Sequence, residues 1–230
     1  MHLSKLHPRH FWSTESGLTG LLIFLLGYLI VLNSLSEFSF GRVLARLFFS
    51  LIILAGVLTT FNQRWLHGLA ITLAVASLGL NWVEEVWPGA AVTILSAGLS
   101  LVYLGFLLTM VASQVFGEGQ VTGHRIRGAI VIYLLLGALW AILYQMVALT
   151  IPEAFRLPEG VAGGDRDAMQ RLMTYFSFIT LTTTGYGDIT PVHPVARTLV
   201  MLEVLVGQLY PAITLARLVS LAVMHQNDKK

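Results

Sequence analysis

The chain has 230 residues, of which 56% are hydrophobic and 11% are charged, and its mean hydropathy is +0.76. Soluble globular chains carry about 25% charged residues, so this composition excludes an ordinary soluble domain and predicts a protein solvated mainly by a lipid bilayer. The net charge of +2 is too small to indicate nucleic-acid binding, and the absence of cysteine excludes a disulfide framework and thiolate metal sites.

Apolar runs dominate the chain from end to end. A bilayer core of about 30 Å requires roughly 20 apolar residues in helical form. Six runs meet this requirement: 17–32, 43–61, 65–83, 89–116, 128–151 and 195–224. A seventh run, 173–181, is too short to cross. The sequence therefore predicts an all-α membrane protein with six transmembrane helices and one re-entrant helix that enters the membrane and turns back.

Charges between the runs predict the orientation in the cell membrane. Six crossings leave both termini on one side, and positive residues favour the cytoplasmic side. One side collects Lys5, Arg9, Arg64, Arg125, Arg127, Lys229 and Lys230. The other collects Glu37, Glu84, Glu85, Glu153, Glu159, Asp165, Asp167 and Asp188, which outnumber the arginines on that side, Arg42, Arg156, Arg166, Arg171 and Arg197. We therefore expect both termini to be cytoplasmic and the segment after the short run to face outward.

The fourth run lacks the charges that a voltage-sensing helix needs. Moving one charge through the membrane field yields only about 2.3 kcal/mol per 100 mV, so several charges are required. No lysine or arginine occurs between Trp65 and His124. The sequence predicts that this helix does not confer steep voltage dependence.

The segment TLTTTGYGDITP, residues 180–191, follows the short run directly. Non-helical backbone at membrane depth persists only where it is buried in protein or lines an aqueous cavity. Gly185 and Gly187 can adopt positive φ, which allows successive carbonyl groups to point the same way. Together with the Thr183 hydroxyl, such a row offers oxygen ligands to a dehydrated monovalent cation. The alternative is a polar loop with incidental glycines.

The stretch TTTGYGD resembles the signature sequence of the potassium-channel family. The resemblance extends over a span, an outer connection, the run MQRLMTYFSFITL, the signature and a last span, about residues 125–224. It implies that backbone and hydroxyl oxygens coordinate K⁺ and that two further residues shape the outer mouth. The coordinating residues would be Thr183, Thr184, Gly185 and Tyr186, and the mouth residues Gly187 and Asp188.

A single copy of this filter cannot surround an ion, so we expect a homotetramer in the lipid bilayer. The resemblance divides the chain into two domains. Residues 1–123 would form four helices that resemble a voltage-sensor domain but lack gating charges, and residues 124–230 would form the pore domain. The function implied is a potassium-selective channel that is not steeply voltage-gated. A non-selective monovalent cation channel is an alternative, although Tyr186 and Gly187 are both present. A secondary transporter and a non-conducting accessory subunit are further alternatives.

The short helix departs from the family pattern. Tyr175 and Phe176 stand where many relatives carry two tryptophans that brace the filter by hydrogen bonds. Tyr175 can still donate to Asp188, whereas Phe176 has no donor for Tyr186. We therefore expect a filter supported by fewer polar braces and more packing.

The last span carries the predicted gate and two ionisable residues. Gly207 matches the family's hinge glycine, and Pro211 would kink the helix just beyond it. The alternative is a permanently kinked helix that does not move. We expect Glu203 to face the short helix, hydrogen-bonded or protonated, and Arg217 to reach the headgroups. No catalytic motif occurs, so the sequence predicts neither an enzyme nor a cofactor other than permeant K⁺.

Overall fold

The structure is a computed structural model, and it describes residues 8–35, 38–59, 64–87, 89–117, 123–158 and 166–227. These residues form seven helices and one pair of very short strands. The helices are α1 (Pro8–Leu35), α2 (Ser39–Thr59), α3 (Arg64–Val86), α4 (Ala90–Val115), α5 (Gly123–Thr150), α6 (Arg166–Leu181) and α7 (Pro194–Asn227). The strands are β1 (Phe155–Arg156) and β2 (Thr190–Pro191), which pair antiparallel.

Six of these helices are long and apolar enough to cross a membrane. The exception is α6, whose 16 residues extend over only about 24 Å at 1.5 Å per residue, less than the bilayer core. The predicted all-α membrane fold is confirmed. The pairing of β1 with β2 is a local detail that the sequence did not indicate, and the tetramer stays a prediction.

The six long helices of the bundle alternate in direction along the chain. We call the upper end the one at which α1, α3 and α5 finish and α2, α4, α6 and α7 begin. There, Arg42 of α2 pairs with Asp167 of α6. At the opposite, lower end, Arg127 of α5 donates to the Thr19 hydroxyl of α1 at 2.9 Å. The charged residues at positions 1–7 and 228–230 lie outside the described residues, and the orientation in the membrane stays a prediction.

Two hydrophobic cores meet along α5. The larger core joins the front helices to the lower part of α5, with Leu21, Ile52, Leu104 and Leu135 fully or almost fully buried. The smaller core joins the upper part of α5 to α6 and α7 around Tyr144. The predicted boundary between residues 123 and 124 falls where α5 begins, and residues 118–122 lie outside the described part. That division stays a prediction.

Both flanks of the segment after α6 are anchored at the upper end. The backbone N–H of Val192 donates to the carbonyl oxygen of Ala154 at 2.8 Å, next to the β1–β2 pair. The α7 helix then starts with Pro194, a favoured first helical residue, and the His193 ring accepts the N–H of Val195 at 3.2 Å. The segment between α6 and β2 is therefore held at its two ends.

Candidate functional site

The C-terminal end of α6 fixes the start of the candidate site. The N–H of Thr184 donates to the carbonyl oxygen of Ile179 at 2.8 Å, and the N–H of Thr183 donates to that of Thr180 at 2.9 Å. This pair of bonds is the Schellman arrangement, which requires a left-handed residue just past the helix. Thr183 adopts that conformation, with φ +57°. A β-branched residue rarely does so, and the conformation is therefore strained.

Residues 183–188, which we call the filter segment, alternate in backbone handedness. Positive φ recurs at every second position, with +57° at Thr183, +52° at Gly185 and +81° at Gly187. The two glycines accept this conformation without a steric penalty. The whole segment is exposed in the single chain. The helix therefore ends in a stretch of open backbone instead of a packed loop.

The carbonyl groups of this segment are available for a ligand. Among the described residues of this chain, none donates a hydrogen bond to a carbonyl oxygen of residues 183–188. A buried carbonyl needs a partner, and at membrane depth lipid offers none. Carbonyl oxygens are hard ligands, and the partially negative C-terminal end of α6 precedes them. The segment therefore has the chemistry to hold a cation, and its coordinating role stays a prediction.

Tyr175 and Phe176, the two residues of α6 that are predicted to support the filter segment, have different surroundings. The Tyr175 hydroxyl interacts with Asp188, and partial burial together with that interaction raises the pKa of Tyr175 above its ordinary value. Phe176 is buried and packs against the rings of Tyr144 and Phe155, at centroid distances of 5.1 and 5.6 Å. Tyr175 therefore makes a polar interaction and Phe176 makes apolar contacts, and their role in supporting the filter segment stays a prediction.

The α5 helix holds α6 through three close contacts. The Tyr133 hydroxyl donates to the carbonyl oxygen of Leu181, the last residue of α6, at 3.1 Å. Ser177 lies within 2.8 Å of the carbonyl oxygen of Gly137. A Cβ at Gly137 would stand 2.6 Å from the Phe178 ring, so the glycine permits this approach. The end of α6 is thereby fixed on one side.

The α7 helix holds α6 on another side. Glu203 is fully buried, and its two carboxyl oxygens each lie 2.5 Å from a hydroxyl, one of Tyr144 and one of Ser177. One turn further along, Gly207 contacts the backbone of Leu181 so closely that a Cβ would overlap its carbonyl oxygen. Pro211 lies within α7, where it cannot donate to the carbonyl of Gly207. A hinge at Gly207 and Pro211 stays a prediction.

Sequence reasoning singled out Glu203 but not the other residues that hold α6 in place. Tyr144, Ser177, Tyr133 and Gly137 all lie within apolar runs, and nothing in their spacing indicates a shared site. The feature of the sequence that could have indicated these residues is their chemistry, because a polar side chain inside a membrane-spanning run needs a hydrogen-bond partner. Arg217 donates to the carbonyl oxygen of Phe116, at the lower end of α4, a contact that the sequence did not indicate, and its reach to the headgroups stays a prediction.

A short helix, an exposed segment with alternating backbone handedness and a long following helix form the arrangement that is expected of a pore-loop membrane protein. Comparison with known families agrees with this class. Residues 167–224, about a quarter of the chain, match a family model described as an ion channel. This match covers α6, the filter segment and most of α7, and it supports an ion channel at the level of the class.

Two curated relatives are similar to part of the chain. Protein LctB of Geobacillus stearothermophilus and Protein LctB of Bacillus caldotenax are each 34% identical over 80 residues. Each match covers 35% of this chain, and the chain spans 59% of the length of either relative. No solved structure matches the chain.

Proposed function

We propose that the protein is a potassium-selective channel that conducts K⁺ down its electrochemical gradient through a homotetrameric pore. The observation that carries the proposal is the filter segment, whose alternating backbone leaves its carbonyl groups without donors from the described chain. Four such segments around one axis would replace the hydration shell of K⁺ with protein oxygens. Thr183, Thr184, Gly185 and Tyr186 would provide those oxygens.

The tetramer is supported by the surface around the filter segment. A cavity of about 270 Å³ lies between the filter segment, α6 and α7, and it is lined mainly by apolar residues such as Phe176, Ile179 and Val204. The buried positions along the described part of α7 after residue 200 are Glu203, Gly207 and Thr214, a narrow stripe. The exposed residues of α7 are available to neighbouring subunits, to the pore and to lipid.

Steep voltage dependence is not part of the proposal. The α4 helix contains no lysine or arginine, and its polar residues Thr93, Ser96 and Ser100 are buried against neighbouring helices. A transmembrane field would therefore do little work on this helix. The front helices instead pack against α5 and, at the upper end, form ion pairs with α6.

Ion flux from liposomes tests the proposal. Purified protein is reconstituted with an outward K⁺ gradient, and barium-sensitive flux is measured for the wild type, Gly187→Ala and Gly98→Ala. Gly187 has φ +81°, so alanine distorts the filter there, whereas Gly98 is a helical glycine with open space around it. We expect channel-rate K⁺ flux in the wild type and Gly98→Ala and its loss in Gly187→Ala.

Other outcomes identify the alternatives. Equal flux when sodium replaces potassium would indicate a non-selective cation channel. Slow, saturable flux would indicate a transporter, and no flux from a folded protein would indicate an accessory subunit. Light scattering of the detergent complex tests assembly, with four chains of 25.3 kDa expected.

The proposed orientation places both termini in the cytoplasm. Since the chain has no cysteine, single cysteines can report the side of the membrane. Ser34→Cys lies at the upper end and Ser113→Cys at the lower end, and both positions are exposed. A membrane-impermeant maleimide added to intact cells should label Ser34→Cys alone, and labelling of Ser113→Cys alone would reverse the orientation.

A further inference from the structure

The carboxyl group of Glu203 lies in an environment that disfavours a negative charge. It is fully buried, and no basic side chain in the described part of the chain pairs with it. Its titratable neighbours are the hydroxyl groups of Tyr144 and Tyr133. An ionised carboxylate in such a place loses its hydration without gaining a counter-charge, which is costly.

Counting hydrogens around Ser177 separates the two protonation states. Its hydroxyl oxygen lies 2.5 Å from a carboxyl oxygen of Glu203 and 2.8 Å from the carbonyl oxygen of Gly137. A serine hydroxyl has only one hydrogen to donate. If Glu203 is ionised, one of these two contacts joins oxygen atoms with no hydrogen between them.

A neutral Glu203 resolves this conflict. The carboxylic acid then donates its own hydrogen to Ser177, and Ser177 donates to Gly137. The Tyr144 hydroxyl donates to the other carboxyl oxygen at 2.5 Å. Each of the three contacts contains one hydrogen, and three helices are joined in one continuous chain of hydrogen bonds.

We propose that Glu203 is a positioning residue that acts as a neutral carboxylic acid and fixes α6, and with it the filter segment, against α5 and α7. Glu203 and Gly207 are four residues apart on α7, and their partners Ser177 and Leu181 are four residues apart on α6. The contact at Ser177 therefore sets the position of the helical turn that ends at the filter segment. The effect on ion selectivity rests on the proposed channel function, whereas the protonation state does not.

Three variants separate hydrogen bonding from packing. In Glu203→Gln, the amide nitrogen can donate to Ser177 and the amide oxygen can accept from Tyr144, so all three bonds persist. Glu203→Leu has similar bulk but leaves both hydroxyl groups without their partner. Ser177→Ala removes the hydroxyl on α6 with a minimal change in volume, which provides a second test if the leucine variant does not fold.

Infrared spectroscopy tests the protonation state directly. The difference spectrum of wild type minus Glu203→Gln, recorded in membranes at neutral pH, should contain the C=O stretch of a protonated carboxyl group. This band should shift in D₂O. If the difference spectrum instead contains the carboxylate stretches of Glu203 and lacks the protonated carboxyl band, the proposal is overturned.

Selectivity measurements test the positioning role. We expect wild type and Glu203→Gln to have equal K⁺/Na⁺ permeability ratios, and Glu203→Leu and Ser177→Ala to show a several-fold decrease. If Glu203 has only a structural role, Glu203→Leu and Ser177→Ala will lower thermal stability and leave the K⁺/Na⁺ permeability ratio unchanged, and this result would overturn the positioning role. A Glu203→Gln variant whose permeability ratio falls as far as that of Glu203→Leu would also overturn it. If the wild type conducts no ions, the proposed function fails, and the infrared band still decides the state of Glu203.

Discussion

Gly207 of α7 lies directly against the carbonyl oxygen of Leu181, the residue at which α6 ends. The family resemblance assigns this glycine to a hinge, but the contact gives a second reason for it. Any larger side chain would push α7 away from the end of α6. The carbonyl of Leu181 also accepts the Tyr133 hydroxyl, so displacement would disturb the α5 contact as well.

We therefore predict that Gly207→Ala destabilises the folded protein. Forcing a methyl group into a filled space costs about 1–3 kcal/mol, which outweighs the gain of up to about 1 kcal/mol from the better helix propensity of alanine. The thermal midpoint of the purified protein in detergent should fall by several degrees. Gly105→Ala is the matched control, because Gly105 is helical with nothing near its Cβ position. A Gly207→Ala protein as stable as this control, with altered opening, would favour the hinge interpretation.

Thr183 combines backbone strain with a predicted ligand role. Its left-handed conformation costs about 1–2 kcal/mol in a residue with a Cβ. Thr183→Gly should therefore raise the thermal midpoint in sodium buffer. The same change removes the hydroxyl group that is predicted to bind K⁺. A bound ion stabilises only the folded state that holds it, so the increase in thermal midpoint on replacing Na⁺ with K⁺ should be smaller in Thr183→Gly than in the wild type.

Thermal midpoints in matched KCl and NaCl buffers check this prediction. Thr183→Ser is the control, since it keeps the hydroxyl and should keep the K⁺-dependent increase. A glycine variant with the wild-type response to K⁺ would show that the hydroxyl does not contribute to ion binding.

Tyr175→Phe should weaken the support of the filter segment. The substitution removes the hydroxyl group that interacts with Asp188, an interaction of the order of one hydrogen bond, about 1 kcal/mol. Because Phe176 supplies only packing, we expect K⁺ currents in planar bilayers to decay faster during sustained flow. Tyr103→Phe is the control, since it removes a hydroxyl that bonds to Ile53 in the front helices. Equal decay in both variants would contradict a specific role for Tyr175.

The sequence predicts most of the fold because membrane solvation is a simple physical rule. Runs of sufficient length gave the six spanning helices, and the short run 173–181 gave the core of α6. The predicted ends of the helices were less accurate than their number and order. The α1 helix begins at Pro8, well before the apolar run, because polar residues can continue a helix beyond the bilayer core.

The partners inside the bundle could not be predicted in the same way. The sequence predicts that Glu203 faces the short helix, and it does. Its second partner, Tyr144, is placed by the packing of α5 against α7, and no local sequence pattern encodes that packing. The guanidinium carbon of Arg217 lies 5.5 Å from the centre of the Phe116 ring, and the guanidinium group donates to the Phe116 carbonyl oxygen, a contact that the sequence did not indicate beside the predicted lipid headgroup. Without knowledge of the neighbouring helix, both environments offer an acceptor to a guanidinium group.

Ion pairs at the upper end connect the front helices to α6. Arg166 of α6 pairs with Glu84 of α3 at 3.0 Å, and Arg42 of α2 pairs with Asp167 of α6 at 3.2 Å. A further pair joins Arg46 to Glu85, and together these residues border a cavity of about 390 Å³. Because the side chains of Arg166 and Glu84 are only 28% and 21% exposed, this pair should be stronger than a fully solvated one.

A double-mutant cycle with Arg166→Gln and Glu84→Gln measures the strength of this connection. We expect a coupling free energy of about 0.5–1 kcal/mol in the unfolding of the detergent-solubilised protein, since either single change leaves one charge without its partner. Raising the salt concentration should reduce the coupling, because part of the pair faces solvent. Glu153→Gln, at an exposed position in the connection after α5, should not couple to Arg166→Gln. Strictly additive effects of the two main substitutions would show that the pair does not hold α6 to the front helices.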